Sequence, residues 1–210
     1  MHYKKNNMDK EINNNGYDYV DLGLPSGTLW ATCNVGASKP SDTGLYFQWG
    51  DTKGYTAGQI GKDKLFLWTD YKWNPSGDDE TFTRYENPCA TLELEDDAAQ
   101  VNMGGGWHIP TPNQIQELID NTTSEWTEQD GVNGRLFTSK SDGSKSIFIP
   151  AVGGAFNGSI FNSGVYGYIW SSMLNTDFVN IGKRLGFYSN GVFLYSSCRY
   201  YGFSVRGVIG

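Results

Sequence analysis

From Tyr17 to the carboxyl end, apolar positions come in short alternating runs broken by glycine, a pattern that favours many short strands over long helices. Two helices still stand out. Asp96 and Asp97 precede Ala98, Ala99 and Val101, so acids sit where a helix leaves N–H groups unpaired and its dipole is positive; Gly104-Gly105-Gly106 then stops it. The second helix is predicted to start at Thr111. Pro112 suits the first helical position, Gln114 lies at capping-box spacing from the threonine, and Ile115, Leu118 and Ile119 share one face.

After Asn121 the chain reads as strand and turn. Leu136 to Ser139 and Ser146 to Ile149 flank an Asp142-Gly143 turn, and Leu185 to Ser189 and Val192 to Ser196 flank Asn190-Gly191, a dipeptide that accepts positive φ in a tight hairpin. Between the hairpins lie a Gly-rich loop from Val152 to Gly167 and the strand-like Tyr168 to Ser172. No linker divides this part. The expectation is one α+β domain over residues 17–210, with two helices, short antiparallel strands and long loops. Residues 1–16 hold five Asn and three Lys with almost nothing apolar, and are expected to be a disordered tail. They are not read as a signal peptide, because no apolar run of seven or more follows the lysines. Either the chain does not use the general secretory route or a leader has been removed.

Composition narrows the functional classes. The 210 residues include seven Trp, thirteen Tyr and eleven Phe, ample apolar area for a core that needs neither disulfides nor a metal. A net charge of −7 argues against nucleic acid as a partner, since such binders carry a basic excess. No stretch approaches the roughly 18 to 20 apolar residues of a membrane span.

The catalytic inventory is thin. The two histidines are His2, in the tail, and His108, which is expected to pack against the start of the second helix. There is no Gly-x-Ser-x-Gly, His-Glu-x-x-His, phosphate-binding loop or Cys-x-x-Cys. Cys33, Cys89 and Cys198 read as buried or half-buried thiols in a reducing compartment, with a Cys33–Cys89 bridge as the alternative. Asp78-Asp79-Glu80 reads as a solvated loop rather than a cation site. No catalytic residue, metal or cofactor is expected.

Two groups of motifs carry a resemblance. Gly105-Gly106-Trp107-His108-Ile109-Pro110-Thr111, running into a helix with Gln114, Glu117 and Leu118, resembles a stretch of the C-type lectin fold as used by formylglycine-generating-enzyme-like proteins. Five further segments, in order, resemble the Fibrobacter succinogenes major paralogous domain common in gut Bacteroidetes. They are Val20 to Ala31, Tyr46 to Asp51, Asp96 to Ala99, Ile169 to Ser172 and Gly202 to Arg206. The match covers about Tyr17 to Val208, and departs at Gly207, where that family usually has Pro or Cys. The resemblance implies a C-type lectin fold. The paired cysteines of the formylglycine-generating active site have no counterpart beside Cys198. Calcium-dependent sugar binding is not implied either, since Glu86-Asn87-Pro88 has the lectin tripeptide's letters in the wrong order.

Some proteins of that family are targets of diversity-generating retroelements, which randomise adenines in a carboxyl-terminal repeat. An Asn codon changed in this way never yields Lys, Glu, Gln, Met or Trp. These five types number 36 in the chain, and at the rate found elsewhere about six would fall between Leu174 and Phe203; only Lys183 does, a deficit that β-propensity explains in part. The run from Phe193 to Tyr201 also lacks the alternation of a half-buried strand.

The resemblance therefore implies a variable region at about residues 173–203, its positions drawn from Asp177, Phe178, Val179, Ile181, Gly182, Gly186, Tyr188, Phe193, Tyr195, Ser197, Tyr200 and Tyr201. Leu185, Phe187, Val192, Gly202, Ser204 and Val205 would be the fixed scaffold, with Arg199 and Arg206 as polar supports. A hairpin permits this division because side chains alternate faces. Three bases against one acid and eight aromatics between Leu174 and Phe203 suit a binding surface. The function expected is a non-enzymatic receptor-binding protein that engages a bacterial surface protein or glycan. It would be carried on a phage tail beside other virion proteins, the setting favoured by the lack of a leader. A bacterial cell-surface adhesin or lipoprotein of the same fold is the alternative, and an enzyme of the formylglycine-generating type is the reading from another class.

Overall fold

The computed structural model describes residues 14–210. Most of the expected disordered tail lies outside them, but its last three residues belong to the fold. Trp107 Nε1 donates to the Asn14 carbonyl at 2.7 Å and Asn15 Nδ2 to the Met103 carbonyl at 2.6 Å, so the boundary drawn after Gly16 falls a few residues too late.

β1 (Tyr19–Asp21) and β2 (Leu29–Ala31) open the fold. A long segment without strands follows, with 3-10 turns at Ala57–Gln59, Trp68–Asp70 and Leu94–Asp96. The short strands expected here are replaced by irregular backbone held from inside. Phe47, Trp49, Phe66 and Tyr71 are buried, and the Asp70 carboxylate accepts the backbone N–H groups of Leu65, Phe66 and Leu67. Buried N–H groups need partners, and a side chain supplies them where no neighbouring strand does.

Both predicted helices form. In α1 (Ala98–Met103) the Asp97 carboxylate caps the first turn by accepting from Ala99 and Gln100, its other oxygen accepts from Ile109 N–H, and Gly104 ends the helix. In α2 (Pro112–Asn121) Thr111 and Gln114 bond reciprocally, and Ile115 and Leu118 are buried. His108 is half-buried beside that start, its Nε2 3.5 Å from Gln114 Nε2.

Strands then dominate: β3 (Thr122–Gln129), β4 (Val132–Ser139), β5 (Ser146–Pro150), β6 (Gly154–Phe156), β7 (Ser159–Phe161), β8 (Gly167–Leu174), β9 (Ile181–Tyr188), β10 (Gly191–Cys198) and β11 (Val208–Ile209). They make three three-stranded antiparallel sheets, β1-β2-β11, β3-β4-β5 and β10-β9-β8, with β6 and β7 as a separate hairpin. The chain is thus α+β, with few helices and several small antiparallel sheets. No helix among the described residues is long and apolar enough to cross a membrane.

The β9–β10 hairpin is present, but Tyr188 pairs with Gly191, so its turn residues are Ser189 and Asn190 rather than Asn190-Gly191, and neither has positive φ. Register here follows the Leu185–Leu194 and Phe187–Val192 pairs, in which the buried Leu185 and Phe187 face half-buried partners, rather than the turn dipeptide.

One core cluster gathers Trp49, Trp107, Trp170, Leu174, Phe203 and Val205; a second packs Ile115 and Leu118 of α2 against Phe137, Ile149, Leu185 and Phe187. Arg206 is fully buried, with no acidic partner among the described residues. Its guanidinium donates to Asn34 Oδ1 and to the carbonyls of Ala31 and Phe148 at 3.0 to 3.2 Å. All three cysteines are free. Cys33 and Cys198 are half-buried, while Cys89 is exposed and not packed as expected.

Candidate binding face on the carboxyl-terminal hairpin

β9 sits between β8 and β10, which leaves β10 at the sheet edge. The register sorts the hairpin into two faces. Leu185, Phe187, Val192 and Leu194 share one, turned toward α2 and its core cluster. Gly182, Arg184, Gly186, Tyr188, Phe193, Tyr195 and Ser197 share the other. Six of the twelve candidate positions therefore lie on one side of one hairpin.

Burial divides these six. Tyr195 is 65% exposed, and Tyr188, Phe193 and Ser197 are half-buried. Gly182 and Gly186 are buried. A β-carbon on Gly182 would stand 2.8 Å from Trp49 Cδ1, and one on Gly186 would meet Arg184 Nη1 at 2.3 Å and Phe193 Cε2 at 2.6 Å. Those two positions cannot serve as freely varied surface; they are the low places over which larger side chains lie.

The aromatic side chains form a continuous path across this end of the molecule. Tyr195 meets Phe193 edge-on, Phe193 contacts Tyr188, Tyr188 stacks on Tyr166 at 5.3 Å, and Tyr166 stacks on Tyr168 at 5.9 Å. The path continues through Phe161 to Tyr201, Phe156, Tyr200 and Trp68. Tyr200 and Tyr201 are half-buried, and Tyr201 packs against the core cluster around Phe203. Tyr166, Phe156, Phe161 and Trp68 lie outside the window that the sequence singled out. The Tyr166-Gly167-Tyr168 alternation was the available signal for the first of them.

Arg184 sits in the middle of the hairpin's second face at 8% exposure. Its guanidinium lies over Tyr168 at 4.6 Å and near Tyr195 and Phe203 at 5.6 Å, and Nε donates to Ser197 Oγ at 2.7 Å. Burial pulls its pKa down to about 10, opposed by Tyr168 and Tyr195, which leaves it charged at neutral pH.

Asp177 and Phe178, from the loop before β9, are brought together with Ile181 and Tyr195 of the hairpin. With Asn175, Lys183, Leu194 and Ser196 they line an open cleft of about 490 Å³. Phe178 is 60% exposed at its edge, Asn175 Nδ2 donates to Ser196 Oγ, and the Asn175 side-chain oxygen accepts from Asp177 and Phe178 N–H, which shapes the loop that carries them. Val179 is half-buried and contributes its carbonyl to Arg199 at 3.0 Å. Tyr195 therefore joins the cleft to the aromatic path. Lys183, Leu194 and Ser196 were not among the candidates; by register they share with Ile181 the face of Leu185 and Phe187.

No family model matches the chain, and neither a curated protein nor a solved structure does.

Proposed function

We propose that this chain is a non-enzymatic binding protein of the C-type lectin fold that engages a protein or glycan on a bacterial surface. Its contact face is the aromatic path together with the neighbouring cleft. The observation that carries this reading is the division of labour in β9 and β10. Leu185 and Phe187 are sealed in the core, while Tyr195, Phe193, Tyr188 and the adjoining Phe178 stand at the surface. Large exposed rings with few rotatable bonds contribute contact area at low entropic cost, and tyrosine adds a hydrogen-bonding hydroxyl.

Two helices followed by small antiparallel sheets support the lectin-type architecture, and the resemblance in motif order supports the family. The deficit of Lys, Glu, Gln, Met and Trp between Leu174 and Phe203 supports retroelement diversification of this face, with a phage tail as its setting.

Two measurements test the proposal. Fluorescently labelled protein should stain intact cells from a panel of gut Bacteroidetes strains, and the Phe178→Ser/Tyr195→Ser double variant should lose the staining while keeping its melting temperature. Staining by that variant at the wild-type level would refute the face. Sequencing the surrounding locus should find a near-identical repeat differing only at adenines beside a reverse transcriptase gene; a locus with neither refutes diversification.

A further inference from the structure

Among the described residues three buried arginines have no acidic partner, and in only one of them do the terminal guanidinium nitrogens lack hydrogen bonds. Arg199 donates to Tyr71 Oη and to the carbonyls of Arg84, Tyr85 and Val179, and Arg206 uses all three of its nitrogens. Arg184 is bonded only through Nε; among the described residues Nη1 is buried with no partner and Nη2 has none either. A buried cationic donor left unpaired costs of order 1 to 3 kcal/mol or more, so a fold that satisfies two such groups fully leaves the third open at a place where something else can meet it. That place is the proposed contact face, under the exposed Tyr195 and beside half-buried Phe193.

We propose that Arg184 is the anchor of that face, its Nη1–Nη2 edge receiving a carboxylate from an Asp or Glu side chain of a protein partner as Tyr195 swings aside. The inference rests on the contact-face reading and adds the ligand's chemistry to it. A guanidinium pairs with a carboxylate through two parallel bonds, and within a ring-lined site that pair is shielded from water. Local charge agrees: Arg184 is the one charged side chain among the hairpin positions of this face, and Asp177 is the one acid between Leu174 and Phe203, which favours an acidic partner here.

A protein side chain fits better than an acidic sugar because the flat faces beside Arg184 are already used. Tyr166 stacks on Tyr168 and Tyr188, and Tyr168 carries the guanidinium. Phe193 and Tyr195 meet edge to face. Edges and hydroxyls are left for the partner, which suits a protein surface rich in Tyr and Arg contacts more than a sugar ring.

The test is an NMR titration of the ¹⁵N-labelled chain with N-acetyl-glutamate N-methylamide, read from the Arg184 Nε–Hε and Ser197 amide resonances. A saturable shift is expected, absent with the neutral N-acetyl-glutamine N-methylamide. Arg184→Lys, which keeps the charge and loses the fork, should weaken it about tenfold as read at Ser197. No shift, or an equal shift with the neutral probe, overturns the proposal. Tighter binding of glucuronate than of the acidic amide overturns the protein partner in favour of an acidic glycan. Cell staining separates this idea from the one beneath it. Arg184→Gln staining cells like wild type, while Phe178→Ser/Tyr195→Ser does not, sinks the anchor and leaves the face standing. If Arg184→Gln fails to fold, the wild-type titration decides alone.

Discussion

Arg199 Nε donates to the phenolic oxygen of Tyr71 at 2.8 Å, and that hydroxyl donates in turn to the carbonyl of Trp49. With its bonds to the carbonyls of Arg84, Tyr85 and Val179, Arg199 ties the irregular segment around residues 71–85 to the end of β10 and to the loop before β9. Phe82 and Trp49 flank the guanidinium at 4.4 and 5.1 Å. Arg199→Met should therefore leave the buried Tyr71 hydroxyl and three half-buried carbonyls without their donor and cost about 3 kcal/mol. Arg199→Lys, with one nitrogen in place of three, should recover only part of that. Chemical denaturation of both variants checks the order; equal stability of Arg199→Met and wild type would show that the network does not hold this segment.

The exposed and half-buried aromatics should respond differently to the same change. Tyr195→Ser and Phe178→Ser remove rings that are mostly in solvent, and the melting temperature should hardly move, within about 0.5 kcal/mol of wild type. Tyr201 packs against Phe161, Phe203 and Tyr200, so Tyr201→Ser should cost about 2 to 4 kcal/mol, as for an emptied core position. Thermal melts of the three single variants test this. A large loss at Tyr195 would mean that it is a packing residue and not a contact.

Stability at high pH follows from buried phenols. Tyr46 donates to the Val152 carbonyl at 2.8 Å, and burial pushes its pKa up to about 12; burial also pushes Tyr71 up. An acid whose folded pKa exceeds its unfolded value contributes stability fully below the unfolded value, near 10, and that contribution is lost as pH climbs toward the folded one. The protein should therefore lose stability between about pH 10 and pH 12. Absorbance at 295 nm should show a gradual phase from exposed tyrosines, then a steep one that coincides with loss of circular dichroism. A single smooth titration with the fold intact would contradict the burial of Tyr46.

What the sequence revealed depended on whether the signal was local. The two α-helices were legible because their caps are: Asp97 and Thr111 act on N–H groups two or three residues away. The carboxyl-terminal hairpin was legible from its turn dipeptide, to within one residue, whereas Tyr188, Phe193, Tyr195 and Ser197 were singled out through the motif resemblance and not through alternation, which the run from Phe193 to Tyr201 lacks. The segment from Thr32 to Asp97 was not legible. Its order comes from contacts such as Phe47 with Phe203, a backbone pair far apart in sequence, and from Asp70 serving three N–H groups of an irregular loop. Arg184 was passed over for a similar reason. One arginine in a strand looks like solvated charge until the rings of Tyr168 and Phe203, distant in sequence, are seen to enclose it.

Gly182 and Gly186 separate a surface that can change from one that cannot. Both share a face with Tyr195, and alternation alone gives no reason to treat them differently from it. A β-carbon at Gly182 would press on Trp49 at 2.8 Å and Trp170 at 3.2 Å, two rigid core rings whose indole nitrogens are bonded to the carbonyls of Ser171 and Phe47. Gly182→Ala should therefore cost about 1 to 3 kcal/mol through overpacking. At Gly186 the obstructing atoms are the tip of Arg184 and the edge of Phe193, which can move, so Gly186→Ala should cost less. Its effect should appear in the Arg184 Nε–Hε resonance, because the methyl takes the space where Nη1 lies. Side chains at Tyr195, Phe193 and Ser197 should meanwhile accept many replacements. A saturation library over these five positions, sorted for folded protein by protease resistance, checks the division. Broad tolerance at Gly182 equal to that at Tyr195 would mean that the rings beneath give way and that the fixed floor is not fixed.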